Sequence, residues 1–319
     1  MKLVVFIPCL NEEETLPLVL RTIPKQIPGI DVIEILIVDD GSTDKTIEIA
    51  KKLGVKHFLK HTTNQGLSRS FRDGLLRSVE MGADIIVLTD GDNQYPQEDI
   101  PRLILPIMEG KADTVIADRQ TQTIDHFTPT KKLWQKFGTW VLNAAAGTDI
   151  PDAISGFRAY SRDAALQLNP IAPYSFATES TIQAAHKQQT IAVVPIKTNP
   201  KTRESRQFKS NWQHVRKSSI TIARAFIMHR PYAVFLTIGT ILLIAGLIPF
   251  IHYLYLTFTL RHYPGGAHHL QSLISGAVLM IAAFISFTLG IIADLIRINR
   301  ILLEDVLEQL KRLRFDPKP

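Results

Sequence analysis

Hydrophobic and polar positions divide this chain of 319 residues into three regimes. Over the first 120 residues short, mainly apolar stretches fall at 3–7, 34–38, 84–89 and 113–117, with a more mixed one at 55–59. Runs of that length without strict alternation predict strands buried on both faces, as in a parallel sheet. Between them, apolar residues return at helical spacing over about 12–23, 45–53, 66–81 and 98–109. The order β-α-β-α-β-α-β-α-β predicts a doubly wound, Rossmann-like α/β domain with a mostly parallel sheet. The acidic triplet Glu12 to Glu14 suits the first turn of the first helix, where carboxylates complement the dipole. Ser42 or Thr43 is placed to cap the second helix.

The pattern changes after residue 210. Residues 231–260 and 270–293 contain no Asp, Glu, Lys or Arg. Each is long enough to cross a hydrocarbon core of about 30 Å, which predicts two transmembrane helices. The intervening residues 211–230 mix Trp212, Val215, Ile220, Phe226 and Ile227 with Arg216, Lys217 and Arg224, a pattern that suits one or two interfacial amphipathic helices. Apolar spacing over 302–313 predicts a further helix, packing on the α/β domain or on a neighbouring copy in a homo-oligomer. The expected domains are therefore 1–210, 211–230, a hairpin at 231–296, and a terminal helix within 297–319.

Composition adds little beyond this division, but charge orients it. Arg216, Lys217, Arg224 and Arg230 precede the first span, and Arg297, Arg300, Lys311, Arg312 and Arg314 follow the second. The connection carries Arg261 alone, so the positive-inside rule places both termini and the α/β domain in the cytoplasm. The net charge of +6 and pI near 9.3 are accounted for by a cell or endoplasmic-reticulum-type membrane, with no nucleic-acid module in view. The single cysteine, Cys9, excludes an internal disulfide and a zinc cluster, and reads as a small core residue. His268 and His269 have no third ligand nearby and read as loop.

Chemistry concentrates at the predicted strand ends. The run 84–89 stops at Asp90-Gly-Asp92, with Gln94 and Pro96 beyond, and the run 34–38 stops at Asp39-Asp40-Gly-Ser42. In open α/β sheets ligands bind at the carboxyl ends of strands. Two carboxylates one residue apart can share a divalent cation whose other positions go to phosphate and water. Asp, Gly and Asn are also ordinary turn residues, and a D-x-D match is common by chance.

The motifs together are more specific. Pro8-x-x-Asn-Glu12, Val38-Asp-Asp-Gly-Ser42, Asn64-x-Gly66 and Asp90-Gly-Asp92-x-Gln94, then Asp118-Arg119, Asp152-Ala-Ile-Ser-Gly-Phe157 and Arg203-Glu-Ser205, follow one another in order. In this the chain resembles family 2 glycosyltransferases of the GT-A fold, in the dolichol-phosphate mannose synthase and polyprenyl-phosphate glycosyltransferase branch. The resemblance covers about residues 3–210. It implies that Pro8, Glu12 and Asp40 hold the nucleotide base and ribose of a GDP- or UDP-hexose donor. It implies Mg²⁺ or Mn²⁺ at Asp90, Asp92 and Gln94, the donor diphosphate against Asp90, Gly91 and Asp92, and phosphate contacts from Arg119 and Arg203, so that Asp92, Arg119 and Arg203 carry the catalytic work. Two departures, the loop 120–130 and Arg203-Glu-Ser-Arg206, lie toward the acceptor.

A lipid monophosphate has a second pKa near 6 and arrives largely ionised, so transfer to it needs no general base. Candidate acceptor-side residues are Lys131, Lys132, Ser155, Glu179 and Arg206, with Lys136 on the same predicted helix. For the lysines an exposed basic helix face explains the sequence equally well. Glu179 fits a helix start or an acceptor-orienting role better than a base. The expected activity is inverting transfer of a hexose, mannose or glucose, to polyprenyl or dolichyl phosphate at the cytoplasmic face of the bilayer. The alternatives are a hydroxyl acceptor on a glycolipid or glycan, and an inactive membrane scaffold. The Q-x-x-R-W motif of processive synthases is absent from the sequence.

Overall fold

The computed structural model describes residues 1–120, 138–140, 142–144, 146–170, 176–200, 227, 230–259 and 270–315. Its strands are β1 (Lys2–Cys9), β2 (Val32–Asp39), β3 (His57–Lys60), β4 (Ile85–Leu88), β5 (Thr114–Asp118), β6 (Arg158–Ser161) and β7 (Ile191–Pro195). The helices are α1 (Leu16–Thr22), α2 (Thr46–Lys52), α3 (Leu67–Glu80), α4 (Ile100–Met108), α5 (Arg162–Gln167), α6 (Phe176–His186), α7 (Pro231–Thr259) and α8 (Leu270–Phe315). Among the described residues one sheet forms, in the order β3-β2-β1-β4-β6-β5-β7. Strands β1 to β4 pair in parallel, β6 runs antiparallel between β4 and β5, and β7 is parallel to β5.

Alternation along β1 explains the two layers. Leu3, Val5 and Ile7 face a core shared with Leu16 and Val19 of α1 and Leu103 and Ile104 of α4. Val4 and Phe6 face the opposite core with Phe71 and Leu75 of α3, Ala164 of α5 and Phe176 of α6. Both faces are therefore covered, which is why the strands read as unbroken apolar runs. The central register, with Phe6 opposite Leu36 on β2 and Leu88 on β4, brings the ends of these strands to one edge.

Local details differ from the sequence expectation at two helix starts. Glu12 to Glu14 precede α1 instead of forming its first turn, because Asn11 takes a left-handed φ of 57° and the segment is tied to the start of α2. Glu13 accepts from the Lys45 amide at 3.0 Å, and Asn11 from the Thr43 amide at 2.8 Å. Neither Ser42 nor Thr43 caps α2; Asp44 accepts from the Thr46 amide at 3.0 Å, while the Ser42 hydroxyl accepts from the Asn11 amide at 2.9 Å.

The chain divides into two compact units, the sheet domain with α8 from Glu304 onward, and the apolar helices up to Leu303. In the second unit, α7 and α8 are long and apolar enough to cross a membrane. They approach through small residues: a Cβ on Gly276 would stand 3.0 Å from the Gly246 carbonyl oxygen, and the Ser286 hydroxyl donates to the Phe235 carbonyl at 2.8 Å. The helix expected at 302–313 is not separate from the second span but the continuation of α8. In the first unit its last turns lie on α3, α5 and α6. Lys187 meets Asp305 and, at 2.8 Å, Glu308; Arg312 meets Asp163 at 2.7 Å; Phe315 joins the second core.

Candidate active site

Four parallel strands deliver residues to the same edge: Pro8 and Cys9 at the end of β1, Asp39 at the end of β2 with Asp40 after it, Asp90 after β4, and Asp118 at the end of β5 with Arg119 after it. Antiparallel β6 starts at that edge, so the loop 152–157 that precedes it is folded over the others. Gly156 makes the closest approach. A Cβ there would meet Asp90 Oδ2 at 2.9 Å and the Tyr95 hydroxyl at 3.3 Å. On the other side, a Cβ on Gly91 would lie 3.3 Å from both Cys9 Sγ and Glu12 Cγ. Pro8, Glu12, Asp90, Gly91, Asp92 and Gln94 thus gather where β1 and β4 end, the point at which the chain stops winding toward β3 and crosses to the other side of β1.

Electrostatics at this edge favour a cation. Burial above all, with the neighbouring Asp92 charge and to a smaller degree Glu12, raises the Asp90 carboxyl to about 7 against the opposing charge of Arg119. A divalent ion would relieve that repulsion. Among the described residues no group of three or more His, Cys, Asp or Glu side chains forms a complete metal cage. Two hard carboxylates one residue apart could hold a divalent ion only as part of a shell completed by other oxygen ligands such as phosphate and water. Gln94 enters through its backbone, whose amide donates to Asp92 Oδ1 at 3.0 Å. Burial also pushes the Cys9 thiol up, with Glu12 next in effect, so Cys9 stays protonated and packs in the core.

Arg119 is held by Asp152. Its Nε donates to Oδ2 at 2.7 Å, its Nη2 to Oδ1 at 2.9 Å, and its amide to Oδ2 at 3.2 Å. Burial works against the charge on this guanidinium, but Tyr95, Asp152 and Asp90 together hold it protonated far above the working range. Tyr95 stacks on Phe157 with ring centroids 5.3 Å apart, and its oxygen accepts from the Gly156 amide at 3.0 Å. Burial pushes the Tyr95 hydroxyl up to about 12.

Asp40 is turned into its own loop. Oδ1 meets His61 Nδ1 and the Gln65 amide, each at 2.8 Å, and Oδ2 accepts from the Gly66 amide at 2.8 Å. Three of the carboxylate's roughly four lone-pair positions are thereby committed to the segment holding Asn64 and Gly66. Ser155 is fully buried, and its hydroxyl has no hydrogen-bond partner among the described residues. Glu179 lies in the first turn of α6 and is 2% exposed. Arg203, Arg206, Lys131, Lys132 and Lys136 lie outside the described residues, as does nearly all of the expected interfacial segment 211–230.

Several supporting residues were not singled out from the sequence. Arg158, fully buried at the start of β6, donates to the carbonyls of Ser155 at 2.7 Å and Ala153 at 2.8 Å. It also donates to the hydroxyls of Ser180 at 3.0 Å and Thr181 at 2.9 Å on α6. It pins the loop that carries Asp152 and Gly156. Tyr95 and Gly156 sat inside or beside quoted motifs, whereas Gln97 and Asn199 carried no sequence signal at all.

A sequence model described as "Glycosyl transferase family 2" matches residues 4–168, just over half of the chain. The chain belongs to this family. An undecaprenyl-phosphate mannosyltransferase of Micrococcus luteus is 31% identical over 206 residues, covering 61% of this chain and 83% of the relative. A UDP-N-acetylglucosamine–dolichyl-phosphate N-acetylglucosaminyltransferase of Methanococcus voltae is 29% identical over 213 residues, covering 60% and 83%. A dolichol-phosphate mannosyltransferase of Pyrococcus furiosus is 34% identical over 180 residues, covering 54% and 50%. Among solved structures, glucosyl-3-phosphoglycerate synthase from Mycobacterium tuberculosis, in complex with Mn²⁺, UDP-glucose and phosphoglyceric acid, superposes with a TM-score of 0.53. That match is 21% identical, covers 71% of this chain and 78% of the other, and bears on the fold alone. The GT-A fold expected from the motifs stands.

Proposed function

We propose that this glycosyltransferase transfers a hexose from a GDP- or UDP-sugar to polyprenyl phosphate, with inversion, at the cytoplasmic face of a membrane. The observation that carries the reading is the convergence of Asp90, Asp92 and the Asp152-bound Arg119 at one sheet edge, in a chain with two helices able to span a bilayer. The names of the relatives, three of which act on polyprenyl-type phosphates by their descriptions, support the acceptor class.

Transfer requires the nucleoside diphosphate to leave as negative charge grows on it. A divalent ion, Mg²⁺ or Mn²⁺, held by Asp90 and Asp92 would supply Lewis-acid neutralisation of that charge. Asp92 is oriented for this by the Gln94 amide on Oδ1. Arg119 adds a permanent cation, and the Asp152 fork uses two of its five N–H donors, so its plane is fixed before substrate arrives. The lipid phosphate attacks the anomeric carbon opposite the departing diphosphate, and its own ionisation replaces a general base. Glu179, buried in α6, is assigned a structural role. Arg203 and the basic residues Lys131, Lys132 and Arg206 are assigned to the acceptor side, and the segment 211–230 to the headgroup layer.

The test is turnover of a panel of GDP- and UDP-sugars in membranes holding the full chain, with and without short-chain polyprenyl phosphate. Release of nucleoside diphosphate that depends on the lipid phosphate supports the acceptor; release independent of it argues for a hydroxyl acceptor; no release with any donor argues for a scaffold.

A further inference from the structure

The loop that carries Asp90 and Asp92 leaves the sheet after Leu88 and returns at the 3₁₀ turn Gln97–Asp99, so its tip has no strand neighbours of its own. Its two ends are closed from inside. The Gln97 amide nitrogen, fully buried, donates to the Thr89 hydroxyl and to the Tyr95 carbonyl, each at 2.9 Å. Between those ends Asn93 adopts a left-handed φ of 61°, a conformation that Asn tolerates better than most residues but that still needs holding.

We propose that Asn199 is the positioning residue that holds this tip and so sets the carboxylate of Asp92. Asn199 comes from a distant part of the chain, four residues beyond the end of β7. Its amide side chain donates to the Asn93 carbonyl at 3.0 Å and to the Tyr95 carbonyl at 3.4 Å, and its backbone amide donates to the Gln94 carbonyl at 2.9 Å. One residue therefore engages three consecutive carbonyls of the tip. The next link is the Gln94 amide, which donates to Asp92 Oδ1 at 3.0 Å. The Gln94 peptide units thus connect Asn199 on one side to the Asp92 carboxylate on the other.

The residue type matters for a chemical reason. Asn offers two side-chain N–H donors and a backbone donor within one short residue, matching three acceptors in a row. Asp of the same shape would turn oxygens toward carbonyl oxygens. Gln would carry the amide one methylene too far. Asn199 also precedes Arg203 by four residues, so the anchor that fixes the Asp92 loop is the start of the segment leading to that arginine.

The inference rests on reading Asp92 as a metal ligand, and the experiment separates the two. With the full chain in detergent, Mn²⁺ affinity is measured by electron paramagnetic resonance in the presence of GDP and, separately, UDP. Nucleotide affinity is measured again in chelator, and thermal unfolding is followed in parallel. Asn199→Ala should unfold within a few degrees of the wild type and bind nucleotide in chelator as the wild type does. Its Mn²⁺ affinity should fall about 10-fold, the lower end of the range for residues that orient metal ligands. Asn199→Asp should lose more. Should the alanine variant fail to fold, Asn199→Ser, which keeps the backbone donor and a short polar side chain, is read the same way. Wild-type Mn²⁺ affinity in the folded variant overturns the proposal, and so does an equal loss of nucleotide binding in chelator, which marks general loosening. If Asp92→Asn also leaves Mn²⁺ affinity unchanged, the metal reading itself fails; if Asp92→Asn abolishes it while Asn199→Ala does nothing, only the role of Asn199 fails.

Discussion

Asp152 grips Arg119 by its fork, with Nε on one carboxylate oxygen at 2.7 Å and Nη2 on the other at 2.9 Å. Lysine keeps the charge but cannot reproduce the two parallel bonds. Arg119→Lys should therefore stay folded and lose turnover by about 100-fold, the scale of a lost transition-state donor. Asp152→Ala should do worse, because it leaves a buried cation unpaired at a cost of about 3–5 kcal/mol. Denaturant unfolding alongside steady-state kinetics distinguishes the two, and equal stability of both variants would contradict the assigned pairing.

Asp92→Asn should abolish metal-dependent turnover while membrane insertion and thermal unfolding remain near those of the wild type. Chelation of the wild type should reproduce the loss, and added Mg²⁺ or Mn²⁺ should reverse the chelation but not the substitution. Undiminished activity in the variant would remove Asp92 from the site.

Gly156→Ala asks about space alone. The glycine does not occupy a left-handed conformation, so backbone strain plays no part. The added methyl would stand 2.9 Å from Asp90 Oδ2 and 3.3 Å from the Tyr95 oxygen, and one of them must move. The expected cost is about 1–3 kcal/mol of stability, together with weaker Mn²⁺ binding. Calorimetry and metal titration measure both, and a variant unchanged in each would show that the loop 152–157 does not press on Asp90.

The strands were legible where burial on both faces left a continuous apolar run. β1, β2, β4 and β5 all appear within a few residues of their expected places, as do α3 and α4. β6 was missed because Arg158-Ala-Tyr-Ser161 carries a cation and a phenol into the middle of the sheet. Only the structure shows that the Arg158 charge is accommodated by two carbonyls and two hydroxyls. The start of α1 was misplaced because long-range bonds from Asn11 and Glu13 to the α2 loop outcompete the dipole argument for the acidic triplet. The strand-end carboxylates were visible as motifs. Asn199 was not, since its role depends on a contact 106 residues away.

The last turns of α8 give a pH dependence. Burial above all, with Arg72 of α3 and to a smaller degree Lys187 beyond α6, lowers the Lys311 ammonium to about 8 against the opposing charges of Glu308 and Glu304 on its own helix. Its Nζ donates to the Leu168 carbonyl at 2.8 Å. A free lysine titrates near 10.4, so between about 8 and 10 the undocked chain binds more protons than the docked one. Docking should strengthen as pH rises through that window and be weakest, at a constant level, below it. Thermal unfolding of the wild type compared with Lys311→Met from pH 7 to 10 isolates this contribution. The variant should lose that upward trend, and parallel profiles would contradict the assignment.

The central claim concerns the bond that forms, and the product's linkage tests it most directly. Radiolabelled donor, full chain, divalent metal and short-chain polyprenyl phosphate should give a lipid-borne hexose in a phosphodiester, released by mild acid and visible as a phosphodiester by phosphorus NMR. A labelled product that survives mild acid as a glycoside, or label transferred equally well without lipid phosphate, would contradict the account.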